Sequence, residues 1–281
     1  MSDGQSPENT YIMDPEHTAE LVRLVAQDHS MNEAMGSLFP KEVDLANIER
    51  VLDVACGPGR WALEVAFQYQ DMEVVGIDIS ELMIKYAESQ AHVQKRPNVT
   101  FSVMDARKPL RFPDNDFDLV NARCMAAFLP GNEWPGVIRE FARVTRPGGT
   151  IVLTEVDLFH SGATNSSAME ELNALCREAT SRTGLQINIT PLLNQLLREV
   201  GCLHIQQRWH FLNFSSGSSA HEAVVSNLSY AYKLIQPLLL KMVQTTQDQL
   251  DTLYTQTLTE MQAADFQGFT RILSAWGTAS S

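Results

Sequence analysis

Three aspartates, Asp53, Asp78 and Asp105, lie within or at the end of short apolar runs: VLDVA (51–55), EVVGID (73–78) and NVTFSVMD (98–105). Carboxylates at the ends of consecutive strands can recognise polar ligands in a way that hydrocarbon walls cannot. The first could approach an ammonium group, the second could accept both hydroxyls of a ribose, and the third an exocyclic amine such as adenine N6. Gly57-Pro58-Gly59 follows Asp53 and opens the amphipathic run RWALEVAFQ. Glycine lets the backbone approach a ligand that a Cβ would exclude, and a helix N-terminus offers unpaired N–H groups. With Ala62 the run satisfies G-x-G-x-x-G/A, the dinucleotide fingerprint. Asp53 would repel a pyrophosphate, however, so the sign of its charge favours a zwitterionic or cationic ligand. A plain strand-to-helix turn can account for the glycines, and a loop cap for any one of the acids. Three strands ending in acids are harder to dismiss. Ile79, next to Asp78, could pack on a base.

Proton-transfer chemistry has fewer candidates. Glu155, Asp157 and His160 follow the apolar run TIVLTEV (150–156). His160 attracts attention because the reference pKa of histidine is near neutral. His204, His210 and His221 fall on a later strand or in a helical insert. The four cysteines, Cys56, Cys124, Cys176 and Cys202, are widely spaced and make no C-x-x-C pair, so neither a metal site nor a disulfide framework is expected.

The elements that must position these groups alternate. From residue 50 short apolar strands are read at 51–55, 73–78, 98–105, 117–122 and 150–156, with amphipathic helices between them. Such alternation implies a mostly parallel sheet covered by helices on both faces. Before it, Asp14-Pro15 reads as a cap and first helical residue of a helix running to about Gly36. After residue 160 the rhythm breaks: helices are expected at 166–182 and 190–200, a strand at 202–214, helices through 220–262 broken at Pro237, and a closing strand at 266–277. A helical insert thus separates two late, antiparallel strands at one sheet edge.

Taken together, VLDVACGPG, VVGIDIS, MDA, FDLVNAR and RPGG resemble the motifs of class I S-adenosylmethionine-dependent methyltransferases, with Ala55 where glycine is more usual. The resemblance is strong over about 50–157 and weaker near the end. It implies a Rossmann-like α/β fold: seven strands, mostly parallel, helices on both faces, an antiparallel last strand, an added N-terminal helix and an insert before the last strand. Residues 1–40 would form an N-terminal segment and lid helix, and 41–281 the methyltransferase domain, with the insert at about 215–262. S-adenosyl-L-methionine is the implied cofactor. Its expected site comprises Tyr11, Arg23, Asp53, Gly57, Gly59, Asp78, Ile79, Asp105, Ala106 and Arg123, with Arg23 a candidate for the methionine carboxylate and Gln27 beside it.

A sulfonium methyl donor is already activated, so alignment and exclusion of water can supply most of the rate. An oxygen or carbon acceptor also needs a base, for which His160, Glu155 and Tyr11 are the candidates. Met125, Phe128, Trp134, Phe159, Tyr230 and Tyr232 could line an acceptor pocket for a small apolar or aromatic molecule. Two other readings share the nucleoside features: an enzyme of the same fold catalysing something other than methyl transfer, and an NAD-type oxidoreductase. The net charge of −13 over 281 residues, with 34 acidic against 21 basic, argues against a nucleic-acid partner. No membrane span and no leader is read, so the expected location is cytoplasmic, with a small-molecule methyl acceptor as partner and a possible homodimer.

Overall fold

The computed structural model describes residues 11–157, 159 and 162–280. In chain order α1 (Thr18–Met35) precedes β1 (Arg50–Val54), α2 (Arg60–Gln68), β2 (Glu73–Asp78), α3 (Glu81–Val93), β3 (Val99–Val103), β4 (Phe117–Arg123), α4 (Trp134–Val144) and β5 (Thr145–Val156). There follow β6 (Ala163–Thr164), α5 (Ser167–Ser181), α6 (Leu193–Glu199), β7 (Leu203–Asn213), α7 (His221–Leu234), α8 (Gln236–Met242), α9 (Gln247–Met261) and β8 (Gly268–Thr278).

The strands make one sheet in the order β3-β2-β1-β4-β5-β8, with β7 along the other edge of β8. The first five are parallel, and β8 runs antiparallel to both β5 and β7. This is the expected seven-stranded arrangement, plus the two-residue β6 paired to the start of β8. Because β1 is central, both of its faces are covered. Leu52 and Val54 pack with Ile138 and Phe141 of α4 and Leu196 of α6. Val51 packs with Trp61 and Val65 of α2 and Ile84 of α3. A strand buried on both sides reads as a near-continuous apolar run, which is why VLDVA was legible.

A third apolar cluster lies under the insert. Ile12, Met13 and Met31 from the N-terminal segment and α1 pack with α5, α7, α8 and α9 residues including Met169, Tyr232, Leu239 and Leu250. The insert is three helices. Pro237 sits in the first turn of α8, and a capping box between Thr246 and Gln249 starts α9. At the other end, α1 starts later than Asp14-Pro15 suggested: His17 is the cap, its Nδ1 accepting the Ala19 N–H. Gly36 closes α1 in the left-handed conformation, as its position implied.

Gly59 belongs to this packing and not to a ligand surface. It caps α2 at φ +74°, and a Cβ there would sit 2.7 Å from both the Ala87 Cβ and the Phe101 ring. The expectation that Gly59 lets the backbone approach a ligand is therefore corrected: what approaches it is α3 and β3. Gly59→Ala is expected to lower unfolding free energy by about 3 kcal/mol, combining left-handed strain with overpacking. Urea denaturation of the variant measures this.

Candidate functional site

The C-terminal ends of β1 to β5 meet one cavity of about 270 Å³. The lid helix α1 and residues 11–15 close it on one side, and α5, α7 and the adjacent ends of β7 and β8 on the other. Its floor carries most of the expected site. Asp53, Gly57, Asp78, Ile79, Asp105, Ala106 and Arg123 all line it, as do Tyr11 and Arg23 from the lid.

Asp53 is 2 % exposed. The β1–β4 register sets Asn121 beside it, and Asn121 Nδ2 donates to Asp53 Oδ1 at 2.8 Å. The other oxygen, Oδ2, has no hydrogen-bond partner among the described residues. Burial pushes the carboxyl pKa up to about 7, against the pull of Arg123 and the Asn121 bond. An unpaired buried carboxylate oxygen is costly unless a donor arrives. A ligand ammonium is such a donor.

The loop after Asp53 is shaped by left-handed residues. Ala55 has φ 56° and Gly57 φ 52°. A Cβ on Gly57 would meet nothing closer than Leu24 Cδ1 at 3.7 Å, an ordinary van der Waals contact, and Gly57 lines the cavity. Ala55 occupies the position where glycine is more usual and bears about 1–2 kcal/mol of strain. Asp78 ties this loop to β2: its Oδ2 accepts the Gly57 N–H and its Oδ1 the Ser80 N–H, each at 2.9 Å. Burial raises its pKa, opposed by those backbone bonds. Each oxygen keeps a lone pair, as a ribose diol needs. Asp105 accepts from Arg107 Nε at 3.1 Å and from its backbone N–H at 3.0 Å, so its own loop holds it in place.

Two arginines have other work. All five N–H groups of Arg23 are committed: two bonds of 2.7 Å reach Glu20, one of 3.2 Å Tyr11, one of 2.6 Å Gln27 and one of 3.1 Å Asn227. In this arrangement no Arg23 donor is free for the methionine carboxylate expected there. Arg23 instead ties the N-terminal segment, α1 and α7 together. Arg123 pairs with Asp28 and donates to Asn32 at 2.9 Å, bridging β4 to α1.

Of the candidate bases, Tyr11 donates its hydroxyl to Glu20 at 2.5 Å, and burial raises its pKa far above the ordinary value. It is held neutral. His160 lies outside the described residues. Glu155 is 1 % exposed, lines the cavity, and has its pKa pushed by burial to about 8. Its Oε1 accepts the Met125 N–H at 2.7 Å and its Oε2 the Ala126 N–H at 3.4 Å, which anchors the turn after β4.

Among the expected acceptor residues, Phe128, Phe159 and Tyr232 line the cavity. Met125 and Trp134 are instead buried in the core under α4, and Tyr230 is exposed on α7. Aromatic and sulfur side chains serve cores as well as pockets, and only the facing decides. Sequence reasoning missed Met169, Asn173, Leu212, Phe214, Val224, Asn227, Leu228, Ala231, Thr270 and Ile272. Six of them lie on α5 and α7, where helical amphipathicity is the signal that could have found them; Leu212, Phe214, Thr270 and Ile272 lie on or beside β7 and β8. None of these ten, nor Phe159 or Tyr232, is charged or a histidine.

Residues 51–149 match the family model described as a methyltransferase domain. Over 144 residues the chain is 28 % identical to methyltransferase str3 of Strobilurus tenacellus, covering 51 % of this chain and 48 % of that protein. Over 108 residues it is 37 % identical to demethylmenaquinone methyltransferase of Geobacillus kaustophilus (strain HTA426), covering 38 % and 45 %. The chain thus spans about half the length of these curated relatives. A solved structure of Haemonchus contortus phosphoethanolamine N-methyltransferase 2, in complex with phosphomonomethylethanolamine and S-adenosylhomocysteine, superposes with a TM-score of 0.57 at 18 % identity, covering 95 % of this chain and 59 % of that one. That likeness is one of fold. Over residues 51–149 the motifs and the strand order agree with the matched methyltransferase-domain model.

The raised Glu155 pKa has a thermodynamic sign. A carboxyl that takes its proton more readily when folded contributes stability below its unfolded value, near 4.3, and loses it as pH rises through 8. Wild-type stability minus that of Glu155→Gln is therefore expected to fall between pH 4.5 and pH 8 and to level off above. Thermal melts of both proteins across that range measure it; a flat difference contradicts the burial argument.

Proposed function

We propose that the chain is an S-adenosylmethionine-dependent methyltransferase whose acceptor is a small, uncharged, largely apolar or aromatic molecule. The observation that carries this reading is the division of one cavity. Its floor, at the strand ends, gathers Asp53, Asp78 and Asp105, while its insert wall presents only apolar and neutral polar groups. The floor fits the cofactor on its own evidence: an unpartnered Asp53 oxygen, the Gly57 backbone lining the cavity, and a fixed Asp78 carboxylate.

When bound, S-adenosylmethionine supplies an electrophilic methyl group on a sulfonium. Asp53 Oδ2 would hold the ammonium of its methionine arm, Asp78 the ribose hydroxyls, and Asp105 with Ala106 the adenine edge, with Ile79 against the base. Arg123 fixes α1 over this floor through Asp28. The lid and insert exclude water, so alignment supplies much of the rate. For a hydroxyl acceptor, Glu155 is the cavity-lining carboxyl group whose pKa of about 8 suits proton removal near neutrality.

A phosphorylated acceptor, such as the one in the nematode structure, needs cations at the acceptor wall. The insert side supplies none among the described lining residues. The lining arginines lie elsewhere and have acidic partners: Arg23 with Glu20, Arg107 with Asp105, Arg123 with Asp28. The acceptor wall favours a neutral ring system.

Formation of S-adenosylhomocysteine is expected with phenols or quinols and not with phosphoethanolamine; turnover of phosphoethanolamine alone overturns the acceptor assignment. Asp53 must be ionised to hold an ammonium. Affinity for S-adenosylhomocysteine should therefore rise with pH through about 7, and Asp53→Asn should lose at least tenfold in affinity together with that pH dependence. Calorimetric titration at several pH values measures both.

A further inference from the structure

Among the described residues of the insert wall, Asn173 is a buried polar side chain whose orientation is fixed while its donors have no partner. Asn173 on α5 is 9 % exposed and lines the cavity. Its Oδ1 accepts the Tyr232 hydroxyl of α7 at 2.8 Å. Its Nδ2 donates to no group among the described residues. Around the pair the wall is apolar: Met169, Leu228 and Ile272 line the same cavity.

The hydrogen bond fixes which end of the amide faces which way. Tyr232 is 1 % exposed and burial raises its pKa well above the ordinary value, so the phenol keeps its proton and remains a donor. Its one proton goes to Asn173 Oδ1, which turns the two Nδ2 protons away from the phenol. Among the described residues the Nδ2 protons meet no acceptor, and Asn173 lines the cavity, so a ligand that displaces water there decides whether they are satisfied. A ligand oxygen satisfies them, and a purely hydrocarbon ligand does not.

We propose that Asn173, positioned by Tyr232, is the anchor of the acceptor pocket, and that it selects neutral ring compounds bearing a carbonyl or hydroxyl oxygen over hydrocarbon rings of equal shape. Asn173 binds that oxygen; Tyr232 acts through Asn173. The inference rests on the acceptor reading above and sharpens it from an apolar molecule to an oxygenated one. Discrimination of this kind is the strongest a small pocket can make, because the wrong ligand leaves a buried donor unmet.

The test uses the full chain saturated with S-adenosylhomocysteine and two shape-matched probes, 2-acetylnaphthalene and 2-isopropylnaphthalene, titrated by calorimetry. Wild type is expected to prefer the ketone by roughly tenfold, the worth of one buried hydrogen bond. Asn173→Leu should bring the ratio to about one without changing S-adenosylhomocysteine affinity. Tyr232→Phe, which keeps the ring and frees the amide to rotate, should lower the ratio part of the way. A preference unchanged in Asn173→Leu overturns the proposal, as does equal binding of the probes by wild type or binding of neither. Absence of S-adenosylhomocysteine binding in wild type would instead strike the methyltransferase reading. The probe ratio, measured without it, would still decide the role of Asn173.

Discussion

Burying carboxylates at the open end of a parallel sheet is the constraint on which this structure turns. Asp53, Asp78, Asp105 and Glu155 end or follow four strands and converge on one cavity. Each must find donors in a place where the sheet has run out of them. The chain supplies them locally: Asn121 from the neighbouring strand for Asp53, loop amides for Asp78, a flanking arginine for Asp105, and the amides of a tight turn for Glu155. Those requirements propagate outward. Ala55, Gly57 and Cys124 take left-handed conformations where the chain leaves β1 and β4. Of these four carboxyl groups, Asp53 keeps an oxygen, Oδ2, with no hydrogen-bond partner among the described residues, and a ligand donor would match it.

The sheet was the most legible part of the chain, since central parallel strands are apolar on both faces and stand out as blocks. One of the amphipathic helices expected between the strands is α4, whose apolar stripe and proline start are both visible in the sequence. The start of α1 was not legible, because His17 caps it through a ring nitrogen and Asp14-Pro15 imitates a cap one turn earlier. The two residues of β6 carry no periodicity at all and exist only because β8 offers them an edge.

At the site, residues defined by backbone position were readable, and those defined by facing were not. Asp53, Asp78 and Asp105 follow from strand ends. Gly59 and Gly57 look alike in sequence, yet a Cβ on one would strike Phe101 and on the other would make only an ordinary contact with Leu24. Met125 and Trp134 have the chemistry of pocket walls but point into the core, while Asn173 had no motif to mark it and is defined by a partner 59 positions away. Arg23 was visible as a cation near the site. That every one of its donors is spent could be learned only from Glu20, Gln27 and Asn227 meeting around it.

That guanidinium has a consequence for how such a chain can diversify. Replacing Glu20, Gln27, Asn227 or Tyr11 singly leaves a buried donor stranded, so these positions can change only in concert. The cavity-facing positions of α5, α7 and β7 outside the knot, Met169, Leu212, Val224 and Leu228 among them, carry no such bond; they pack in the core under the insert and are constrained by volume, so each tolerates exchange for an apolar side chain of similar size. The wall is thus governed by paired polar bonds in one part and by packing volume in the other. Single size-conserving changes can reshape the second part while the bonds that tie α1 to α7 stay intact.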